Sequence, residues 1–294
     1  MKWVYTILLA VILAGIMPAV LGHNFAGAWW VNSDSAVDVL EAKGCNMFMV
    51  PAGYYLDSTI EAVLFAINPG NYAVIDLTYF LSQENLGDAV DHIYRRIMKS
   101  PQYGKVRGYL TFDEPNCGGN PAPLETIRLW YRVIKALDPS RWIFVDYCAN
   151  ECGIPNTSSV DNGGGYSYDS AMVNFYPYHY GWTDRAGEEK LRATAAHIKS
   201  YFHISTWLWP INQTAYRSVG FSQDDQNCGD LGRNHQPDLR QHYDLSQQYE
   251  LWDDYGLFEQ SHGIFYYGWG SNPKDKNLAT DSFILKQTRI MSKY

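Results

Sequence analysis

The stretch at residues 106–116 reads VRGYLTFDEPN and narrows the choice of fold more than any other part of the chain. It is a nearly continuous apolar run, which is typical of a strand covered on both faces of a parallel sheet. The run ends on Asp113 and Glu114, and Pro115 then ends the strand because proline has no backbone N–H for the ladder. The sequence therefore predicts a buried parallel strand that presents two acids at its carboxyl end.

Seven similar runs occur elsewhere in this chain of 294 residues. With the first, the predicted strands lie at 27–31, 45–52, 72–80, 106–114, 141–149, 170–178, 203–210 and 263–269. Most are separated by segments with helical spacing of apolar residues, at 33–43, 57–67, 86–98, 124–137, 188–201, 239–255 and 278–290. The pattern predicts the α/β class and a single (β/α)8 TIM barrel.

Two segments without a helical pattern interrupt this alternation. Residues 150–168 are rich in Gly, Asn and Ser, so we expect the fifth helix to be short or missing. Residues 211–238 are polar and predict a long loop after strand seven. An open, doubly wound sheet is the alternative, but it would place a Gly-rich phosphate loop after strand one, where Trp29 and Trp30 stand.

The first 22 residues have the pattern of a cleaved signal peptide, with Lys2 before an apolar core. A membrane anchor is the alternative, but the apolar run is short for a span and no basic stop-transfer segment follows. We therefore expect residues 1–22 to be removed and residues 23–294 to form one domain with a catalytic-like barrel. The expected location is extracellular, without stable membrane insertion, and we expect a monomer.

Composition limits the classes of partner. The net charge of −8 makes nucleic acid an unexpected partner, because phosphate binding requires a basic surface. Aromatic residues make up 15% of the chain, with 10 Trp and 23 Tyr. Many amphipathic rings suit a cleft that stacks on flat ligand faces, and this favours a carbohydrate.

The five cysteines predict disulfides rather than a metal site. Cys45 lies in an apolar run and is expected to be a buried free thiol, whereas the other four could form two disulfides in any of three pairings. Zinc at Cys148 and Cys152 is the alternative, but no second ligand pair completes it. Copper at a free N-terminal His23 would suit a β-sandwich fold better than a barrel. We predict no metal and no cofactor, and sequons at Asn156 and Asn212 permit glycosylation.

Acids and aromatic residues fall at the predicted strand ends, where a barrel of this type has its site. The predicted catalytic acids are Glu114, Asp113, Asp76 and Asp146. The predicted substrate-binding residues are Trp29, Trp30, Tyr176, Tyr178, His179, Trp207, Trp209, Tyr267 and Trp269. Aromatic faces stack on pyranose rings, and carboxyl groups handle the protons and the oxocarbenium charge of glycoside hydrolysis.

Glu114 is the predicted proton donor, and Asp113 is expected to modulate it or to bind a substrate hydroxyl. Burial at a strand end raises the pKa of a carboxyl group, and a second acid beside it raises one of the two further. The alternative is structural: the two acids could cap the next helix or bind Arg107 or Arg141.

The segment YLTFDEPN resembles the Asn-Glu-Pro motif of the large clan of barrel glycoside hydrolases, whose acid/base glutamate ends strand four. The resemblance implies that Asp113 stands in place of the asparagine and Glu114 in place of the acid/base. The segment FYYGW resembles the family's strand-eight tryptophan platform, which implies that Trp269 stacks on sugar.

This sequence departs from the family at strand seven, where HISTWLWPINQT has no acid in place of the nucleophilic glutamate. The partner carboxylate is then expected to be Asp76 or Asp146. Carboxyl groups about 5 Å apart would indicate a retaining reaction and about 6.5–9.5 Å an inverting one. The sequence thus predicts a secreted, cofactor-free glycoside hydrolase. The alternatives are a non-catalytic carbohydrate-binding barrel and an enzyme of other chemistry on the same fold.

Overall fold

A computed structural model describes residues 25–28, 31–42, 44–54, 57–82, 85–117, 121–149, 154–163, 166–174, 184–202, 207–213 and 263–267. The strands are β1 Phe25–Ala28, β2 Met47–Pro51, β3 Tyr72–Asp76, β4 Val106–Asp113, β5 Trp142–Cys148, β6 Ser170–Asn174, β7 Trp207–Gln213 and β8 Gly263–Tyr267. The α-helices are α1 Asp34–Glu41, α2 Asp57–Ala66, α3 Thr78–Ser82, α4 Leu86–His92, α5 Leu124–Leu137 and α6 Asp184–Tyr201. A π-helical turn, Ile93–Ile97, continues α4, and 3-10 turns lie at Tyr103–Lys105 and Thr157–Ser159.

Each strand pairs in parallel with the next strand along the chain, and β1 pairs with β8, so the hydrogen-bonded sheet closes on itself. Helices follow β1, β2, β3, β4 and β6. The α/β class and the parallel sheet are therefore confirmed. The helices predicted at 239–255 and 278–290, and most of the loop predicted at 211–238, lie outside the described residues. Among the described helices, none is both long enough and apolar enough to span a bilayer.

The third and seventh strands differ from their predicted bounds. The third strand was expected to reach residue 80 but ends at Asp76, because the Asp76 carboxylate accepts hydrogen bonds from the backbone N and Oγ1 of Thr78, where α3 begins. The seventh strand begins at residue 207 and continues to residue 213. Its polar end stays in the sheet because Asn212 and Gln213 pair with β8.

Two separate apolar clusters lie on the two faces of the sheet. The inner cluster contains strand residues only: Met47, Met49, Val74, Leu110, Phe144 and Met172. The outer cluster joins the other face of the strands to the helices, for example through Val37 of α1, Val63 of α2 and Ile134 of α5. Because side chains alternate along a strand, residues two positions beyond the inner cluster also face the inside of the closed sheet.

A β-bulge in β4 changes this alternation at one point. Leu110 is in register with Phe144, but Phe112 is in register with Val145, so Thr111 is the extra residue. The Thr111 hydroxyl donates to the carbonyl oxygen of Phe144, 3.1 Å away. As a result Phe112 packs outward, and the residue after it, Asp113, is in register with Asp146 on β5.

At the amino-terminal ends of the strands, a buried carboxylate is surrounded by hydrogen-bond donors. Asp138 follows α5 and is 2% exposed. The hydroxyls of Tyr103 and Tyr109 each donate to it at 2.7 Å, and the Ser140 hydroxyl donates at 3.2 Å. This group ties the end of α5 to β4, and it serves packing at the end of the sheet away from the candidate site.

Candidate active site

Polar residues follow the inner apolar cluster on four neighbouring strands. Asp76 stands two positions after Val74, Asp146 two after Phe144, and Asn174 two after Met172. Asp113 joins them only because of the bulge, which turns it to the same face as Asp146. The carboxyl ends of β3, β4, β5 and β6 thus present three carboxyl groups and one amide inside the closed sheet, and this set with Glu114 is called the acid cluster below.

Glu114 follows β4 in an unusual backbone conformation. Its φ angle is 52°, in the left-handed region that side chains with a Cβ rarely adopt. Its backbone N–H donates to the carbonyl of Asp146 at 2.8 Å, and its own carbonyl accepts from the N–H of Cys117 at 2.9 Å. These bonds stabilise a sharp turn around Pro115. Strained backbone of this kind costs about 1–3 kcal/mol and is concentrated at functional sites.

Asn174 connects two members of the acid cluster. Its side-chain nitrogen Nδ2 donates to Glu114 Oε1 and to Asp146 Oδ2, each at 2.7 Å. The two carboxyl oxygens therefore lie no more than twice that distance apart. This bound is below the range of about 6.5–9.5 Å that separates the carboxyl groups of inverting glycosidases.

Burial and mutual repulsion raise the pKa of two acids in this group. For Asp113, burial, followed by the charges of Glu114 and Asp76, raises the pKa to about 8, while an interaction with Asp146 opposes the shift. Burial, then the charges of Asp113 and Glu114, also raises the pKa of Asp146. Asp113 is nevertheless an exposed residue. The like charges of Glu114 and Asp76 therefore favour the protonated form of this accessible carboxyl group.

The four acids differ in whether a ligand can reach them. Asp76 and Asp146 are each 1% exposed, whereas Asp113 is exposed and Glu114 is half-buried. Asp146 Oδ1 is buried, and no described group forms a hydrogen bond with it. Asp113 and Glu114 are therefore the members of the acid cluster that can contact a ligand. Asp76 and Asp146 are buried beneath them and can affect a ligand only through these two acids.

One exposed tyrosine beside these acids was not singled out by the sequence analysis. Tyr54 follows β2 and is 47% exposed, and its ring lies edge-on to Tyr79 with centroids 5.0 Å apart. Burial, then the charge of Asp76, raises the pKa of Tyr54. Gly53 has a φ of 82°, and a Cβ at this position would overlap the Tyr79 ring. A Tyr in a short turn after a strand carries little sequence signal, which is why it was missed.

A buried amide and a disulfide hold the turn that carries Glu114. Asn116 donates to the carbonyls of Cys148 and Pro155 at 2.9 and 3.1 Å and accepts from the Cys148 N–H at 3.0 Å. The disulfide joins Cys117 to Cys148, with Cα atoms 6.1 Å apart. The pairing links the turn after β4 to the end of β5. Cys152 and Cys228, the other predicted disulfide cysteines, lie outside the described residues.

Cys45 is a buried free thiol, as predicted. Burial raises the pKa of this thiol to about 12.

The structural alternative, in which Arg107 or Arg141 binds the two acids, is not seen among the described contacts of these arginines. The Arg107 guanidinium lies over the Trp142 ring, 4.1 Å from its centroid, and that of Arg141 lies over Tyr103 at 4.2 Å. Both contacts are at the amino-terminal ends of β4 and β5. Within the described ranges, no group of three or more His, Cys, Asp or Glu residues is arranged to hold a metal ion.

Most of the predicted aromatic platform lies outside the described residues, namely Trp29, Trp30, Tyr176, Tyr178, His179 and Trp269. Only the backbone is described for Trp207, Trp209 and Tyr267. Tyr267 is the last residue of β8, as expected, but Trp207 is the first residue of β7 and Trp209 the third. The expectation that these two tryptophans end the strand was wrong, because β7 runs on through Asn212 and Gln213.

Comparison with known proteins identifies a class of fold. No protein-family model and no curated protein matches this chain. Among solved structures, the chain is similar to enzymes whose names identify them as glycoside hydrolases. The predicted similarity to barrel glycoside hydrolases is therefore confirmed at the level of the fold.

Three of these structures illustrate the similarity, each with a TM-score above 0.5. The Lactobacillus rhamnosus β-glucuronidase has a TM-score of 0.58 and 14% identity, over 92% of this chain and 49% of that one. The Ruminococcus gnavus β-glucuronidase has a TM-score of 0.56 and 13% identity, over 91% and 49%. The Eisenbergiella tayi GH2 β-galacturonidase bound to galacturonate has a TM-score of 0.52 and 13% identity, over 87% and 48%. This chain spans about half the length of each.

Proposed function

We propose that this protein is a secreted glycoside hydrolase on a complete (β/α)8 barrel, with Glu114 as its acid/base residue. One observation carries the proposal: four carboxyl groups and an amide converge at the carboxyl ends of neighbouring parallel strands, where enzymes with parallel barrels have their sites. Perturbed carboxyl groups of this kind are typical of sites that transfer protons. The disulfide between Cys117 and Cys148 supports an oxidising compartment.

Accessibility suggests how the roles are divided. Glu114 exchanges the proton with the glycosidic oxygen. Asp113, whose pKa is raised to about 8, donates a hydrogen bond to a sugar hydroxyl while it is protonated, and only its ionised form would supply the second reacting carboxylate. Asp76 and Asp146 were expected to include the second carboxylate, but both are buried. The charge of Asp76 raises the pKa of Asp113, whereas the interaction with Asp146 lowers it. Tyr54 supplies an exposed ring beside Asp113 on which a sugar could stack.

The test is a Glu114→Gln variant assayed on a panel of neutral and uronic acid glycosides, with binding measured by calorimetry. We expect turnover to fall about 1,000-fold while binding is retained, because general acid–base catalysis contributes about 100- to 10,000-fold. The matched control is Glu125→Gln, which changes an exposed acid on α5 that pairs only with its own helix through Arg128 among the described contacts. Full activity of the Glu114→Gln variant would overturn the assignment.

A non-catalytic carbohydrate-binding barrel is the second candidate. It is favoured by β7, in which residues 207–213 contain no acid that could act as a nucleophile. A wild-type protein that binds glycans but hydrolyses none of the panel would support this alternative.

A further inference from the structure

Among the described contacts, the side chain of Asn174 forms hydrogen bonds with two carboxyl groups and not with the backbone, unlike an asparagine that only stabilises a strand end. Asn174 is the last residue of β6, it is 3% exposed, and its backbone carbonyl accepts from the N–H of Ala149 at 2.8 Å. The backbone carbonyl of Asn174 thus already has a partner in the residue that follows β5. The side chain lies between two carboxyl groups rather than among backbone groups.

The identity of this side chain follows from its partners. An amide has two N–H donors on one nitrogen, and Asn174 directs them to Glu114 Oε1 and Asp146 Oδ2. The nitrogen of the amide is the atom that suits this place when the two carboxyl groups are ionised, because ionised carboxyl groups only accept hydrogen bonds. Ser has a single O–H donor, and Gln is longer by one methylene, so Asn is the residue whose length and donor count fit the gap.

The bridge joins a strained residue to a buried one. Glu114 holds a left-handed backbone with φ of 52°, and Asp146 is 1% exposed on the neighbouring strand. A glutamate side chain has three rotatable bonds and would otherwise sample several positions at the mouth. The bond from Asn174 fixes the carboxylate of Glu114 relative to the end of β5, beside the accessible carboxyl of Asp113.

We propose that Asn174 is a positioning residue that holds the Glu114 carboxylate in place for catalysis by bridging it to Asp146. This inference rests on the proposed function, since it assigns Asn174 a purpose in that reaction. The bridge can also be tested without an activity assay, because it changes the pKa values of the carboxyl groups that it joins. Hydrogen bonds from the amide favour the ionised form of both carboxyl groups, and the bond to Asp146 opposes the rise in its pKa.

Two variants separate positioning from general stability. Asn174→Asp keeps the shape and replaces the two donors by a like charge, and Asn174→Ala removes the bridge. We expect kcat to fall about 100-fold in both, with KM within about threefold, because a misplaced catalytic group costs about that much. Asn174→Asp should also move the acid limb of the pH profile, and the carbon-13 titration of the cluster carboxyl groups, to higher pH.

An exchange of the two residues sharpens the test. In the double variant Asn174→Asp with Asp146→Asn, an amide and a carboxyl again face each other between β5 and β6, but no donor reaches Glu114. We expect the melting temperature to recover and turnover to stay low. The control is Tyr109→Phe, which removes a buried hydrogen bond to Asp138 at the opposite end of the sheet and should leave the titration unchanged.

The outcomes distinguish this inference from the proposed function. An active wild type, with Asn174→Asp unchanged in turnover and in titration, would overturn the bridge and leave the hydrolase intact. Recovery of turnover in the double variant would show a structural role only and would also overturn positioning. A wild-type protein that hydrolyses none of the glycosides would overturn the proposed hydrolase function. The titration of the carboxyl groups in wild type and Asn174→Asp would then show whether the bridge exists.

Discussion

Two buried aspartates at opposite ends of the same closed sheet have opposite surroundings. Asp138 is 2% exposed and accepts hydrogen bonds from Tyr103, Tyr109 and Ser140. Asp146 is 1% exposed, yet its neighbours are the acids Asp113 and Glu114, and one of its oxygens has no hydrogen-bond partner among the described residues.

The difference separates an acid that stabilises the fold from one that shapes a site. A buried carboxylate surrounded by donors is satisfied, and the donors in turn depend on it. A carboxyl group placed among other acids gains nothing for stability, because burial and like charges both oppose its ionisation. Such an arrangement persists where it supplies groups with shifted pKa values, and this is the physical basis for placing function at the carboxyl ends of the strands.

The largest expected effect is on the stabilising aspartate. Asp138→Ala should lower the free energy of unfolding by about 3 kcal/mol, because it leaves two tyrosine hydroxyls without their acceptor in the core. Urea denaturation would measure the loss, and Tyr109→Phe, which removes one donor, should cost about 1 kcal/mol. A loss of unfolding free energy below about 1 kcal/mol for Asp138→Ala would contradict the stabilising role that distinguishes Asp138 from Asp146.

The second effect has the opposite sign and depends on pH. Asp113 has a pKa of about 8 in the folded protein, above the value of about 4 of an unfolded aspartate, so the folded state holds more protons between these values. The unfolding free energy should therefore fall as pH rises from about 4 to about 8. Asp113→Asn lacks this proton and should gain about 1 kcal/mol over wild type at pH 8, since its solvent exposure reduces the effect.

Chemical denaturation of both proteins at pH 4, 6 and 8 tests this expectation. The gain should be absent at pH 4 and should grow with pH. A stability difference that stays constant across the series would contradict the raised pKa.

The smallest effect concerns the backbone of Glu114. Glu114→Gly should relieve the left-handed conformation and remove a like charge beside Asp113 and Asp146. After the lost Asn174 hydrogen bond and the greater freedom of glycine in the unfolded chain are subtracted, the unfolding free energy should rise by about 0.5 kcal/mol. Activity should be lost at the same time. Asn156, the other described non-glycine residue with positive φ, is the control. Asn156→Gly should give no gain, since it loses the 2.7 Å hydrogen bond to the Asn116 carbonyl. A Glu114→Gly variant less stable than wild type would contradict the inference that the left-handed backbone at Glu114 is strained.

The sequence was sufficient for the class of fold because near-continuous apolar runs and their spacing reflect burial on both faces. Helix α5 lies at the predicted bounds of residues 124–137, where one apolar stripe faces the sheet. The sequence also indicated Asp76, Asp113, Glu114 and Asp146 as site residues, since acids in or at the ends of apolar runs are unusual. These four lie together in the structure.

The rest depended on contacts between distant segments. Asn174 was hidden because the sixth run continues through aromatic residues to 178, so the prediction placed Asn174 within the strand rather than at its end. The described part of β6 ends at Asn174, and residues 175–178 lie outside the described residues. The bridge from this residue to Glu114 spans 60 positions of sequence. The burial of Asp76 and Asp146, and therefore their indirect role, also depends on the closed sheet around them and has no local signal.

The bulge at Thr111 adds a single residue to β4, and this one residue decides which of the side chains after it face the inside of the sheet. Without this extra residue, Phe112 would turn inward and Asp113 would face the helices. Grafting the segment FDEPN onto an unbulged strand of another scaffold would therefore place the Phe112 ring where this protein has the Asp113 carboxyl group. An engineer who wishes to move the site must transfer the irregularity in the ladder together with the side chains.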